Sequence, residues 1–474
     1  MFFVSLGIAV VGRADPWLAP GNEGLRSDIQ LLADAGILRG PVTTWPMSWP
    51  DIARDALGTS IADLDDNTAD ALLRVQRLAR AASARGYAGH GLRVSAAHEP
   101  TQLRDFADTP REEVELAVRA SWLGDHFAAN LQGSVTAGPD DDKRFRPDGS
   151  YLGVSIGNFM ISAGYMERWW GPGWDGSLIL STNARPIPSL TLERNYTDPF
   201  RTPWLSWIGP WRASIAVGEA ESRGVAVPNV RFMAARVNFK PRPWLEFGLT
   251  RTAQWCGGDA ECDFGTFMDM LLGRDNSDTG DDPGNQLAGY DARVRSPWKA
   301  LPLALYTQWI GEDEASHLPS KFIGQFGLET WFSSALGGMR VLAEYSDTAC
   351  SFTRERQEFN CAYRNGRYPQ GYTYRHRLLG HSMDNDSRMF SLRGILTAAN
   401  GDTISATLRR IELNRDGGDH AISSIPFDFD NVELRYSRRL GPAVAHFGVG
   451  YDTHSPVVGA RSEVRGFVNW EQGF

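Results

Sequence analysis

The chain has 474 residues, 22% of them charged, with a mean hydropathy of -0.32 and a formal net charge of -9. A pI near 5.6 leaves no electrostatic footprint for nucleic acid, so that class of partner is set aside. Beyond the first dozen residues no apolar run approaches roughly 18 residues, so any membrane span must be a strand rather than a helix. The 49 Gly, 16 Trp, 23 Phe and 13 Tyr suit many strands, tight turns and aromatic girdles better than a helical enzyme core.

Residues 1–14 read as a signal peptide. An apolar stretch runs from Phe2 to Val11, small residues Gly12 and Ala14 precede the expected cut, and Asp15-Pro16 breaks the pattern after it. No Lys or Arg precedes the apolar stretch, which leaves room for a start upstream of Met1.

Residues 15–86 are expected to form a small helical bundle. Leu25, Ile29, Leu32 and Ala33 recur at helical spacing, with Gly36 as a stop. A second helix is expected over Trp49 to Leu57, with Pro50 early, where its missing N–H costs nothing. The third runs from Asn67 or Thr68 to Arg85, with Ala71, Leu72, Val75 and Leu78 on one face and Gly86 as terminator. So few residues bury little surface alone, and the bundle is expected to dock onto the larger domain as a plug.

From Tyr87 to the C-terminus the period is 2. Val114, Leu116, Val118, Ala120 and Trp122 alternate with Glu115, Ala117, Arg119 and Ser121. Leu301 to Trp309, Phe322 to Leu328 and Ala445 to Tyr451 repeat the pattern, and Gly138 to Asp142 and Gly280 to Gly284 read as turns. The polar face carries many Arg, Glu and Gln residues, as at Arg435 and Arg438. A soluble sandwich would turn that face to bulk water, whereas a barrel would line its lumen with it. The ending decides between them: Phe474 follows Val468, Trp470 and Gln472 in phase, the form in which a last barrel strand is read by the outer-membrane assembly machinery. Residues 87–474, at roughly 20 residues per strand and connection, supply about 16 to 20 strands. The fold class is thus an all-β transmembrane barrel with a small N-terminal helical bundle, and its lumen is open unless something fills it.

Cys256 with Cys262 and Cys350 with Cys361 form two close pairs, unlike CxxC metal spacing, and are expected as two local disulfides in an oxidising compartment. Other chemistry is weaker. Gly153 to Gly157 spells a nucleophile elbow but sits in an alternating strand. His381-Ser382 and His454-Ser455 lack an identifiable orienting carboxylate, so a hydrolase built on Ser155, Ser382 or Ser455 is the least favoured reading. Asp275, Ser277 and Thr279 imitate part of a calcium loop without its closing Glu, so no metal or other cofactor is expected.

The segment Arg168-Trp169-Trp170-Gly171-Pro172-Gly173-Trp174-Asp175 sets three indoles around a Gly-Pro-Gly turn, and Trp204, Trp207 and Trp211 repeat the theme. Indoles beside Asp and Arg are what a saccharide needs; they are also what an interfacial belt or a packed core needs.

Glu167 to Pro186 closely resembles the capsule assembly protein Wzi family, as do Leu31 to Gly36, Gly40 to Pro46, Trp204 to Trp211, Gly311 to Glu314 and Met383 to Arg388. The resemblance implies an 18-stranded outer-membrane barrel whose helical bundle occludes the periplasmic end. It further implies a lectin for capsular or other surface polysaccharide, with loops at the cell surface and no catalysis. The carbohydrate-binding residues expected on this reading are Arg168, Trp169, Trp170, Trp174, Asp175, Arg185 and Arg388, the arginines supplying charge-assisted bonds if the glycan is acidic. The alternative is a diffusion channel for sugars or anions.

Overall fold

The computed structural model describes residues 15–258, 262–263, 265–268, 284–298, 300–315, 318–455 and 461–474. The expected signal peptide and the Asp275, Ser277 and Thr279 loop lie outside the described residues.

Three helices come first: α1 (Glu23–Asp34), α2 (Trp49–Leu57) and α3 (Asp66–Ala82). Each starts on a side chain that accepts an otherwise orphaned backbone N–H: Asn22 from Leu25, Ser48 from Asp51 and Asp65 from Thr68. The third helix ends at Ala82, short of the expected Arg85, because Arg85 turns out to meet Asp125 and Gly86 opens the first barrel strand.

Eighteen strand positions follow among the described residues. They are β1 (Gly86–His98), β2 (Val114–Leu123), β3 (Phe127–Ala137), β4 (Tyr151–Ile156), β5 (Phe159–Gly164) and β6 (Ser189–Arg194). Next come β7 (Trp211–Glu219), β8 (Arg231–Arg242), β9 (Leu245–Trp255), β10 (Gly284–Arg295), β11 (Leu303–Ala315) and β12 (Leu318–Ser334). The last are β13 (Gly337–Asp347), β14 (Arg388–Thr397), β15 (Thr403–Leu413), β16 (Phe427–Leu440), β17 (Ala443–Asp452) and β18 (Glu463–Gly473). The pair Phe145–Arg146 lies on the same edge of β3 as β4 and extends that position. Neighbours are antiparallel throughout, and β18 pairs with β1, Trp470 facing Val94, to close the barrel.

The alternation is inverted relative to a soluble protein. On β15, Ile404, Ala406 and Leu408 point outward and are exposed, while Ser405, Thr407 and Arg409 are buried inside. On β2, Val114, Leu116, Val118 and Trp122 form the same exposed apolar row. Such a belt is stable only against lipid, so the barrel is a membrane barrel.

The lumen is filled from both ends. Leu25, Ile29, Leu32, Trp45, Ile52, Leu72 and Val75 build a bundle core that also takes in Phe106 and Trp169 from two connections. A second core joins Trp170, Leu178 and Ile179 to Tyr363, Tyr372 and the wall residues Ile310 and Ile323. The connections 99–113, 165–188 and 348–387 therefore fold inward. The helices sit at the end where turns are short: Arg54 meets Asp198 at 3.0 Å, and Arg74 donates to the carbonyl of Ala398 at 3.1 Å.

Candidate functional site

The tryptophan turn lies inside the barrel. Trp169 and Trp170 pair with Trp45 and Thr44 as a two-residue ribbon, which ties the turn to the helical bundle. Trp169, Trp170 and Trp174 are 0%, 1% and 1% exposed. Phe106 stands edge-on to Trp169 at 5.4 Å, and the Arg26 guanidinium lies 4.3 Å from the Phe106 ring and 4.2 Å from that of Trp174. The Glu344 carboxylate accepts the backbone N–H groups of Trp174, Asp175 and Gly176 at 2.7, 3.1 and 3.1 Å. Close approach explains the glycines: a Cβ on Gly176 would stand 2.0 Å from His381 Nε2. The expected stacking platform is therefore not presented to solvent. A closed barrel offers these indoles a complete apolar shell, and they take it.

Asp175 belongs to an ionic cluster. Arg393, Arg409 and Arg435, on β14, β15 and β16, face Glu23 of α1, Asp105 and Asp175 of the inward connections, and Glu433 of the wall. Arg409 reaches Asp105, Asp175 and Glu433 at 2.8 Å each, and Arg435 reaches Asp105 at 2.9 Å. Burial works to raise the Asp175 carboxyl, but Arg393 and Arg409 outweigh it and hold the group at about 2. Asp105 is held below the usual carboxylate range by the same arginines and Arg435, again against burial.

Arg168 and Arg185 are also engaged internally. The first donates to Ser189 Oγ at 3.0 Å and Thr191 Oγ1 at 2.6 Å; the second grips Asp148 with two bonds of 2.7 and 2.8 Å and also meets Asp141. Of the seven expected contact residues, Arg388 alone keeps a partly open side chain, 37% exposed, beside Asp347 and Glu412 at the long-loop end. Trp204 and Trp207 are 73% and 59% exposed near the short-turn end, as is Trp298, and read as an interfacial belt. Trp211 instead stacks on Phe200 at 4.6 Å.

Among the described residues, neither Ser155 nor Ser382 hydrogen-bonds a histidine side chain. Ser155 lies within β4, so the strand, turn and helix of a nucleophile elbow are missing. His381 is buried, and burial lowers it to about 4. A pair that spacing did not reveal is Ser387 Oγ with His420 Nε2, 3.1 Å apart. Its geometry is unsuited to proton abstraction. His420 Nδ1 accepts the backbone N–H groups of Ile422 and Ser423, which puts the ring proton on Nε2, 3.0 Å from the carbonyl of Met383.

What stays open at the long-loop end is a polar cleft of about 200 Å³ lined by Gln102, Arg111, Arg409, Phe429, Asn431 and Arg465. These residues come from the first inward connection and from β15, β16 and β18, so no local motif announces them. Both expected disulfides are present in the chain's longer connections, Cys256–Cys262 and Cys350–Cys361.

The family model of the capsule assembly protein Wzi matches residues 82–455. The solved structure of Wzi from Escherichia coli, described as an outer-membrane, carbohydrate-binding β-barrel involved in group 1 capsule assembly, superposes with a TM-score of 0.84 at 25% identity. That match covers 96% of this chain and 99% of that one. An uncharacterised 55.8 kDa protein from the cps region of Klebsiella pneumoniae is 31% identical over 315 residues, 66% of this chain. The chain matches 61% of that relative's length. With a closed 18-strand barrel, a docked helical bundle and a family match over most of its length, the chain belongs to the capsule assembly protein Wzi family and is an outer-membrane β-barrel.

Proposed function

We propose that this protein binds a long surface polysaccharide, capsular or another exopolysaccharide, at the outer face of the outer membrane and holds it there during capsule assembly. The observation that carries this reading is a lumen packed from both ends beneath a polar cleft that remains open at the long-loop end. Such a barrel works as a platform. Arg111, Arg465 and Arg388 supply donors to hydroxyls or carboxylates of the polymer, and many weak contacts along a repeating chain add up to avidity. Trp169, Trp170, Trp174, Arg168, Asp175 and Arg185 act at one remove, by holding the inward connections that shape the cleft. The protein acts as a binder, without chemistry on the polymer and without a cofactor.

In this orientation α1, α2 and α3 face the periplasm and the long connections face the cell exterior, with lipid around the apolar belt. Phe474, exposed at the end of β18 with its N–H on the carbonyl of His90, is presented to the barrel assembly machinery. The test is binding of the host's own purified surface polysaccharide to detergent-solubilised protein. Saturable binding that weakens in Arg111→Ala and Arg465→Ala, with polymer length unchanged, supports the reading. Absence of binding together with steady conductance of the native protein would replace it with a diffusion channel.

A further inference from the structure

The lumen is not filled evenly. Along β8 to β14 the bundle and inward connections reach the wall through buried pairs such as Arg293–Asp34 at 2.7 Å and Arg393–Glu23. On the remaining side three cavities adjoin, the first against β15 to β18 and the other two against β1 to β5. The first is the mouth cleft of about 200 Å³. The second, about 160 Å³, lies in mid-barrel between the wall residues Arg119, Asn130 and Gln132 and the bundle residues Asp15 and Pro46. The third, about 620 Å³, opens at the short-turn end beside Trp49, Arg85 and His126. Neighbours share a wall: Arg111 lines the first and second, and Trp17 lines the second and third.

We propose that these cavities form one closed water path for small cations down this side of the lumen, and that Trp17 is its gate. The two partitions differ in chemistry. Arg111, held by Glu167 at 2.9 Å, is a polar partition that water can solvate. Trp17 is an apolar one. Its ring stands edge-on to Tyr151 at 4.9 Å and lies over Gly153, where an added Cβ would stand 2.5 Å from the indole. Its Nε1–H is latched to Glu193 Oε2 at 2.6 Å. A dry apolar constriction stops ions even where the flanking spaces are wet. Asn130 Oδ1 has no hydrogen-bond partner in the protein, as suits a side chain facing water in the middle cavity.

The preference for cations is set in the upper two cavities, with six carboxylates against four arginines in the middle and six against three at the mouth; the third holds Asp125 against Arg54 and Arg85. Trp17 joins the bundle through its ribbon with Ser48 and the wall through Tyr151 and Glu193, so the gate stands where plug and wall meet.

Two measurements on the full-length protein test this. All four native cysteines are in disulfides, so Asn130→Cys introduces the single thiol. In oriented proteoliposomes a small cationic thiol reagent should label it from the long-loop side in the otherwise native barrel, and from the short-turn side only when Trp17→Ala is added. In planar bilayers the native protein should be silent, while Trp17→Ala should show channel steps whose reversal potential shifts toward the cation in a KCl gradient. A native barrel whose Asn130→Cys is inert from the long-loop side overturns the path, with no Trp17 change needed. A folded Trp17→Ala that stays silent, or conducts without cation preference, overturns the gate. Glycan binding is read separately and is unaffected by either outcome.

Discussion

Replacing Arg409 with alanine removes one of three cations that share four carboxylates inside the barrel, leaving two arginines to face Glu23, Asp105, Asp175 and Glu433. Removing one partner of a buried pair strands charge in a low dielectric and costs roughly 3–5 kcal/mol. Asp175→Asn perturbs the same cluster differently: three cations then face three anions, and the amide still fills the site. Its cost should be nearer the about 1–3 kcal/mol of an impaired buried hydrogen bond. The order of the two variants is thus set by charge balance and not by the number of bonds lost. The double variant Arg409→Ala with Asp175→Asn should recover part of the arginine's cost, with a coupling of about 0.5–3 kcal/mol. Thermal unfolding of the detergent-solubilised barrel, followed by circular dichroism and by gel mobility of unheated samples, reads all three. The reasoning fails if Arg409→Ala melts with the native protein, or if Asp175→Asn is the more damaging of the two.

Acid should destabilise the protein in two windows. His381 is lowered from 6.5 to about 4 by burial, so the unfolded chain takes up a proton first and stability falls as pH drops from about 6.5 to 4. Asp386, raised to about 6 mainly by burial, opposes this in part, so the contribution is isolated by the smaller pH dependence of His381→Gln. Asp175, depressed to about 2, adds stability that is present above the unfolded value near 4 and is lost as pH falls toward 2; unfolding midpoints against pH check both windows. Cys350→Ser should cost about 3 kcal/mol locally and raise protease cleavage between residues 351 and 360, while the barrel keeps its native gel mobility. Gly176→Ala should destabilise the inward turn, because the new methyl meets the buried His381 ring at 2.0 Å; a lower melting temperature and greater protease access to 165–188 are the readouts.

Local rules account for much of the architecture. A period of 2 with apolar residues on one face makes Val114 to Trp122 a strand in any environment, and the caps at Asn22, Ser48 and Asp65 start their helices from neighbouring residues alone. The polar face of the strands suited the wet side of a soluble sandwich as well as a lumen, and the exposed apolar rows of the closed barrel show that it is a lumen. The site was not legible from local rules. The same Trp-Trp-Gly-Pro-Gly-Trp string suits a sugar platform, a belt or a core, and only the inward course of the 165–188 connection chose the core. Likewise Arg393 meets Glu23 across 370 residues and Asp175 across 218, separations to which no periodicity speaks. Which face of a strand is apolar is decided by residues two apart; which loops turn inward, and which cleft they leave open, is decided by charge and shape complementarity between segments that become neighbours only when β18 closes on β1.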